Sequence, residues 1–203
     1  MQRYLLILSV ILLLSCLILS VRIHSIVTAL GEKKQKETAK EMEYYYLKDQ
    51  FNFWLESENQ NMIERDIFYG NDSSTLIPIS SLLATPKLIY RVSGNMCSDC
   101  IEFGRKQLEN VFGEINEESN VMIVLSDVSS LEKKTIYKNR CFSLYESNVA
   151  LSNLPVETYC IPFFFVVDEN MKIKMLFTPD KALPQYTEQY LLAVARYLKN
   201  NAL

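Results

Sequence analysis

The chain has 203 residues, 49% of them hydrophobic, with 21 Lys and Arg against 24 Asp and Glu and a net charge of -3. That size allows one domain with a sizeable core plus a shorter appendage, and the near-balanced charge offers no cationic surface that calls for nucleic acid. Twelve Tyr and ten Phe beside only five Gly describe an aromatic core with few flexible loops, against a long disordered region.

Residues 4–21 form an apolar run without a charge, bounded by Arg3 and Arg22. As a helix it is about 27 Å long, close to the roughly 30 Å of a bilayer core. It is longer than the usual apolar region of a cleaved signal peptide. The expectation is a transmembrane or signal-anchor segment over 1–30. Cleavage after Val27-Thr28-Ala29 is a second reading. A third is lipid attachment at Cys16, because Leu13-Leu14-Ser15-Cys16 resembles a bacterial lipobox; against it, the apolar run continues past the cysteine. Lys33, Lys34, Lys36 and Lys40 follow the span and would draw that side toward the cytoplasm. A single N-terminal apolar segment before a soluble domain acts as an export signal, so the rest of the chain is expected outside the cytosol.

Residues 31–62 read as an amphipathic helix, free of Pro, with Leu47, Phe51, Trp54 and Leu55 at i, i+4, i+7 and i+8. Tyr44, Tyr45, Tyr46 and Phe53 widen this aromatic face, which would pack on the later domain, touch the membrane interface or pair with a second helix. Gly70-Asn71-Asp72-Ser73-Ser74 reads as a turn or linker, so the appendage runs over 31–74 and the main domain over 75–203. Asn71-Asp72-Ser73 also matches a glycosylation acceptor, a short and common pattern.

Strands are expected at 88–92 and 122–125, with a helix at 100–112 between them whose inward face is Ile101, Gly104, Leu108, Val111 and Phe112. Ser129 or Ser130 would cap a charged helix to residue 140. Residues 163–167 are the clearest strand. Asp168-Glu169-Asn170 forms a turn into an antiparallel partner at 172–177. A last helix, from after Pro184 to about residue 200, turns Tyr190, Leu191, Val194, Tyr197 and Leu198 inward. Interleaved helices and strands closing on a hairpin and a helix make a mixed α/β sandwich.

Cys97 and Cys100 fall between the first of these strands and its helix. A helix N-terminus presents unpaired N–H groups and partial positive charge, both of which favour a thiolate. The first cysteine there is exposed and nucleophilic, and the second lies one turn in as a resolving thiol.

The stretch Leu88-Ile-Tyr-Arg-Val-Ser-Gly-Asn-Met-Cys97-Ser-Asp-Cys100, Ile161-Pro162 before the strand Phe163-Phe164-Phe165-Val166-Val167, and the hairpin that follows resemble a thioredoxin-fold protein. The long interval between Cys100 and Pro162 resembles the membrane-anchored, extracytoplasmic TlpA/ResA-type thiol-disulfide oxidoreductases, of which Bacteroides-group bacteria have many. The resemblance covers about residues 75–202. It implies a thioredoxin-like three-layer sandwich with a mixed sheet, Cys97 as nucleophile, Cys100 as resolving cysteine and Pro162 as a cis-proline facing the dithiol. Ile161 would pair its backbone with bound polypeptide. Protein thiols and disulfides, a membrane or periplasmic electron donor, and the bilayer would be the partners, with no cofactor.

Three positions depart from the family pattern. Met96 stands where Trp is usual, Ser98-Asp99 replaces the usual Gly-Pro, and Arg91 occupies the place of a buried acid six residues before the first cysteine. Asp99 suits a helix N-terminus but opposes a second negative charge on Cys97, so a reducing or sluggish pair with a Cys97 less acidic than that of a strong oxidant is expected. Arg91 would face solvent or pair with an acid. Cys141 and Cys160 are auxiliary thiols: they form a structural bridge, stay buried and free, or Cys160 serves as a third redox thiol near the Pro162 loop.

The only histidine, His24, lies in the membrane flank. That removes Cys2His2 zinc sites and a histidine base for a hydrolase triad, and no metal is expected. Gly94, three before Cys97, stands where a peroxiredoxin needs Thr or Ser. The alternative from another class is an anchored thioredoxin-fold scaffold or binding domain whose dithiol is structural.

Overall fold

The computed structural model describes residues 2–69, 72–113, 120–127, 144–147, 151 and 153–201. They divide into two compact units, Met1–Leu47 and Lys48–Leu203. The first unit is entirely helical. It belongs to α1, Gln2–Ser57, an unbroken helix where the sequence suggested two segments. On this helix Thr28 donates its hydroxyl to the His24 carbonyl at 2.7 Å and Thr38 its own to that of Lys34 at 3.0 Å. Leu13, Leu17, Ile18 and Val27 are all more than half exposed. This is a helix long and apolar enough to cross a membrane.

In the second unit α1 ends five residues earlier than its composition suggests. Asn59 takes a left-handed conformation with φ 61°, a common helix stop, and its N–H turns away to the Ile173 carbonyl at 2.8 Å. The chain then runs beside strand β7, Ile173–Phe177, where Met62 donates to the Met171 carbonyl at 2.8 Å. This covers part of an otherwise open sheet edge.

Seven strands form one mixed sheet: β1 Asp66–Tyr69, β2 Asp72–Pro78, β3 Lys87–Ser93, β4 Val121–Ser126, β5 Leu144–Glu146, β6 Phe163–Val167 and β7, in the order β2-β1-β5-β4-β3-β6-β7. β3 pairs with β4 in parallel and with β6 antiparallel, and β6 with β7 antiparallel. Of the turn or linker expected at 70–74, the part from Asp72 on is strand β2, which pairs with β1, Ile67 opposite Ile77, and β1 joins the sheet through β5. Its polar residues lie on an edge strand, where one side of the backbone has no neighbour and apolar alternation is not required. The capped helix expected up to residue 140 lies outside the described residues.

Helices α2, Ser98–Phe112, and α3, Pro184–Asn200, cover one face. Leu108, Leu191, Val194 and Leu198 meet Leu88, Tyr90, Val92, Ile123, Leu125 and Phe164 there. On the other face Ile89, Met122, Val124, Phe163 and Phe165 pack with Ile79, Leu154, Val156 and the flank of Phe53. Phe53 meets the edge of Tyr159 at 5.3 Å between ring centres. The third layer is therefore the end of α1 with the 3-10 turns Ile79–Leu82 and Pro155–Tyr159. The architecture is a thioredoxin-like three-layer sandwich.

Two polar contacts fix these layers. Tyr90, on β3, donates from its hydroxyl to the Ile101 carbonyl of α2 at 3.0 Å and stacks on Phe164 at 4.5 Å. It fits because Gly104 has no side chain: a Cβ there would lie 2.7 Å from Tyr90 Cζ and still closer to its hydroxyl. On the opposite face Arg91, 2% exposed, meets Glu157 of the second 3-10 turn at 3.7 Å. Burial raises the Glu157 pKa and lowers that of Arg91, each countered by the other's charge.

Gly104→Ala is expected to destabilise the protein by about 1–3 kcal/mol in urea unfolding, although Ala is the better helix former. Arg91→Met alone leaves the half-buried Glu157 carboxylate without this charge partner and is expected to cost about 1–3 kcal/mol, whereas Arg91→Met with Glu157→Leu recovers most of that loss; equal losses in the single and double variants would contradict the coupling.

Candidate active site

Strand β3 runs toward the end of the sheet at which β6 begins, with Arg91 opposite Phe163. The same register carries Ser93 and the loop after it toward Ile161 and Cys160, and Phe177, the end of β7, lies opposite Phe164. Topology thus gathers three loops at one sheet end: residues 94–97, 160–162 and 178–183.

The first loop is held by its own turn. Met96 donates its N–H to the Ser93 carbonyl at 3.0 Å, Ser93 donates to the Met96 thioether at 3.1 Å, and Gly94 donates to the Ser126 carbonyl at 2.9 Å. Met96 is buried, so where the resemblance would place an indole this chain has a side chain folded under its own turn. Cys97 follows as the N-cap of α2, in extended conformation, and its carbonyl accepts from Cys100 and Ile101 at 3.0 Å each.

Cys97 and Cys100 are both free thiols, the first exposed and the second half-buried. Their chemistry is unequal. The Cys97 sulfur accepts from the Cys100 thiol, then from the backbone N–H groups of Cys100 and Asp99, and lies in the field of Lys181; together these lower its pKa. Burial, the bond to Cys97 and the charge of Cys97 push the Cys100 thiol up to about 11. Asp99 therefore reaches Cys97 through its N–H, while its carboxylate faces Lys181 Nζ at 3.6 Å and bears on Cys100. The opposition expected between Asp99 and a Cys97 thiolate is offset by that lysine.

Lys181 was not foreseen from the sequence. It lies in the loop after β7, and only the hairpin topology shows that this loop ends beside Cys97. The start of the loop is clamped from α1: Thr178 donates its N–H to Gln50 Oε1 at 2.9 Å, and Gln50 Nε2 donates to the Thr178 carbonyl at 3.1 Å and to its hydroxyl. Tyr90 lies beneath the dithiol, its pKa raised by burial and then by the charges of Cys100 and Glu102.

The third loop departs from expectation. There is no cis peptide bond among the described residues, so the Ile161–Pro162 bond is trans. The chain reverses instead at Cys160, whose left-handed backbone, φ 51° and ψ 37°, closes the turn Pro155–Tyr159. Ile161 is half-buried and Pro162 buried. Cys160 is a free, exposed thiol, not half of a bridge; Cys141 lies outside the described residues. Arg91 pairs with Glu157, one of its two expected fates, and neither is among the groups that act on the two thiols. Among the described residues no three His, Cys, Asp or Glu side chains stand close enough to share a metal ion.

No protein-family model matches the sequence, and no curated protein sequence matches it. The fold is a thioredoxin-like α/β sandwich with a mixed sheet. Similar solved structures include the pneumococcal exposed lipoprotein thioredoxin of Streptococcus pneumoniae, at 15% identity over 63% of this chain and 99% of that one, TM-score 0.41. Peroxidoxin BcpB of Mycobacterium tuberculosis is 12% identical over 70% and 97%, TM-score 0.44. The mitochondrial 2-Cys peroxiredoxin of Plasmodium falciparum is 17% identical over 69% and 94%, TM-score 0.42. None of these likenesses decides an activity for this chain.

Because only the thiolate is alkylated, iodoacetamide at pH 7 to 8 is expected to modify Cys97 in the reduced protein and leave Cys100 untouched, as read by mass spectrometry. Lys181→Met is expected to move the Cys97 pH profile upward, by less at high salt because the lysine is exposed; equal labelling of both thiols would contradict the asymmetry.

Proposed function

We propose that this chain is a membrane-anchored thiol-disulfide oxidoreductase of the TlpA/ResA-like kind, its redox domain outside the cytosol in a bacterial periplasm, reducing disulfides in other proteins through Cys97 and Cys100. The observation that carries the reading is the unequal pair at the start of α2, an exposed thiol of lowered pKa with a half-buried thiol of raised pKa one turn behind it. The long apolar α1 supports anchoring, and the dithiol suits an oxidising compartment. The long interval between Cys100 and Pro162, in which β5 and the turn Pro155–Tyr159 follow β4, supports the finer placement.

In the reaction the Cys97 thiolate attacks one sulfur of a substrate disulfide. That S–S bond breaks, a Cys97–substrate disulfide forms, and the departing substrate sulfur leaves as a thiolate that takes up a proton. Cys100, losing its proton, then attacks the Cys97 sulfur and expels the second substrate thiolate. The substrate gains two electrons and two protons, and Cys97–Cys100 becomes the disulfide. A dithiol electron donor in the membrane or periplasm returns it to the reduced form. Ile161, half-buried at the same sheet end, is the position at which an extended substrate segment would pair its backbone.

With Cys141 and Cys160 replaced by Ser, equilibration against glutathione buffers is expected to show a reversible two-electron transition between roughly -120 and -270 mV. Cys100→Ser is expected to accumulate a mixed disulfide that Cys97→Ser does not form. No transition, or one below about -300 mV, would replace this reading with a structural bridge in a binding domain.

A further inference from the structure

We propose that Gln50, two turns before the end of α1, is a positioning residue of the dithiol: by clamping the main chain of Thr178 it holds Lys181 against Asp99 and beside Cys97. This inference rests on Cys97 being the attacking thiol of the proposed reaction. Gln50 and Thr178 belong to the same compact unit, and both are buried. The Thr178 N–H donates to Gln50 Oε1 at 2.9 Å, and Gln50 Nε2 donates to the Thr178 carbonyl at 3.1 Å and to its hydroxyl. An apolar side chain would fill this space without the cost of desolvating an amide. What the amide adds is direction, because it binds the N–H and the carbonyl of one residue together. Glu58 makes a second hold on the same strand: its Oε2 accepts from the Met175 N–H at 3.3 Å, where β7 shifts register against β6 and Met175 is left-handed with φ 54°. A bulge of this kind re-aims the strand beyond it.

From Thr178 onward the chain is a stiff arm. Pro179 has its φ fixed by its ring. Asp180 closes a turn, its Oδ1 accepting from the Ala182 N–H at 2.8 Å and its carbonyl from the Leu183 N–H at 3.2 Å. Lys181 lies inside that turn, with Nζ 3.6 Å from Asp99 Oδ2. The groups that favour a thiolate at Cys97 are the Cys100 thiol, the N–H groups of Cys100 and Asp99, and Lys181. The first three are built into α2, so Lys181 is the one whose placement depends on another element. An exposed lysine on a mobile loop would spread over many geometries and contribute little. The clamp at Thr178 and the turn at Asp180 instead fix the point from which its side chain reaches.

The test is the rate at which iodoacetamide alkylates Cys97 as a function of pH, read by mass spectrometry on the reduced full chain in detergent. Gln50→Met, similar in length but without the amide, is expected to slow alkylation at pH 7 and low salt roughly two- to fivefold and to move the profile upward, as Lys181→Met does. The two changes together are expected to be no slower than Lys181→Met alone, because they remove one effect. A merely structural Gln50 would lower the melting temperature and leave the Cys97 profile of the folded protein where it was. Insertion of two glycines between Pro179 and Asp180 tests the same link without touching the buried site: the clamp stays, the arm is uncoupled, and the same slowing is expected. An unchanged profile in the insertion variant would overturn the proposal, and so would further slowing when Gln50→Met is added to Lys181→Met. Equilibration of the unsubstituted dithiol against glutathione separates this inference from the reading beneath it. No reversible transition there, with the alkylation shifts present, removes the turnover and leaves Gln50 as the residue that places Lys181; a reversible transition with no alkylation shift removes Gln50 alone.

Discussion

Tyr90 reaches from the central strand into the first turn of α2, and its position sets how closely that helix approaches the sheet. The hydroxyl bonds the Ile101 carbonyl, the ring stacks on Phe164, and Gly104 leaves the space that the ring occupies. A helix raised by even a methyl group would carry its N-terminus, and with it the N–H groups that face Cys97, away from the loop that β3 delivers. The redox asymmetry is in this sense a packing result. Protein interiors are dense enough that such a contact is transmitted without slack.

The opposite face of the sheet is held by different means. Arg91 is buried and Glu157 half-buried beside a core that is otherwise aliphatic and aromatic, and a pair of this kind adds little net stability over an apolar replacement. It ties the turn Pro155–Tyr159 to strand β3. The segment that contains Glu157 ends at Cys160 and Pro162, so the ion pair also settles the approach of that loop to the sheet end. Gln50 and Thr178 do the same for the loop that carries Lys181. The three loops around the dithiol are thus positioned from three separate elements.

Much of this was legible in the residues. Strands 88–92, 122–125 and 163–167 are continuous apolar runs because both sheet faces are covered, and they emerge within one residue of their ends. Cys97 and Cys100 could be placed at a helix start because the strand before them and the inward face of the helix after them were both clear. Strand β5 is three residues long, too short for any period, and β2 is polar because it lies at the edge. The helix end at Ser57 depends on Asn59 pairing with β7, a contact more than a hundred residues away in sequence. The trans Ile161–Pro162 bond follows from the turn made at Cys160, and the nearness of Lys181 to Asp99 follows from sheet order; neither is written locally.

In the proposed reaction the two thiols would lean on each other in a way that changes as the reaction proceeds. Part of what holds the Cys100 proton in the resting dithiol is the bond it donates to Cys97 and the negative charge it faces there. Once Cys97 is joined to a substrate, its sulfur is neutral and no longer the same acceptor, so those two restraints vanish and burial remains. Cys100 becomes easier to deprotonate at the step that requires its thiolate. In that reaction the pair would time itself: the thiol that would compete for the substrate at the outset is silenced by its neighbour, and formation of the intermediate would release it.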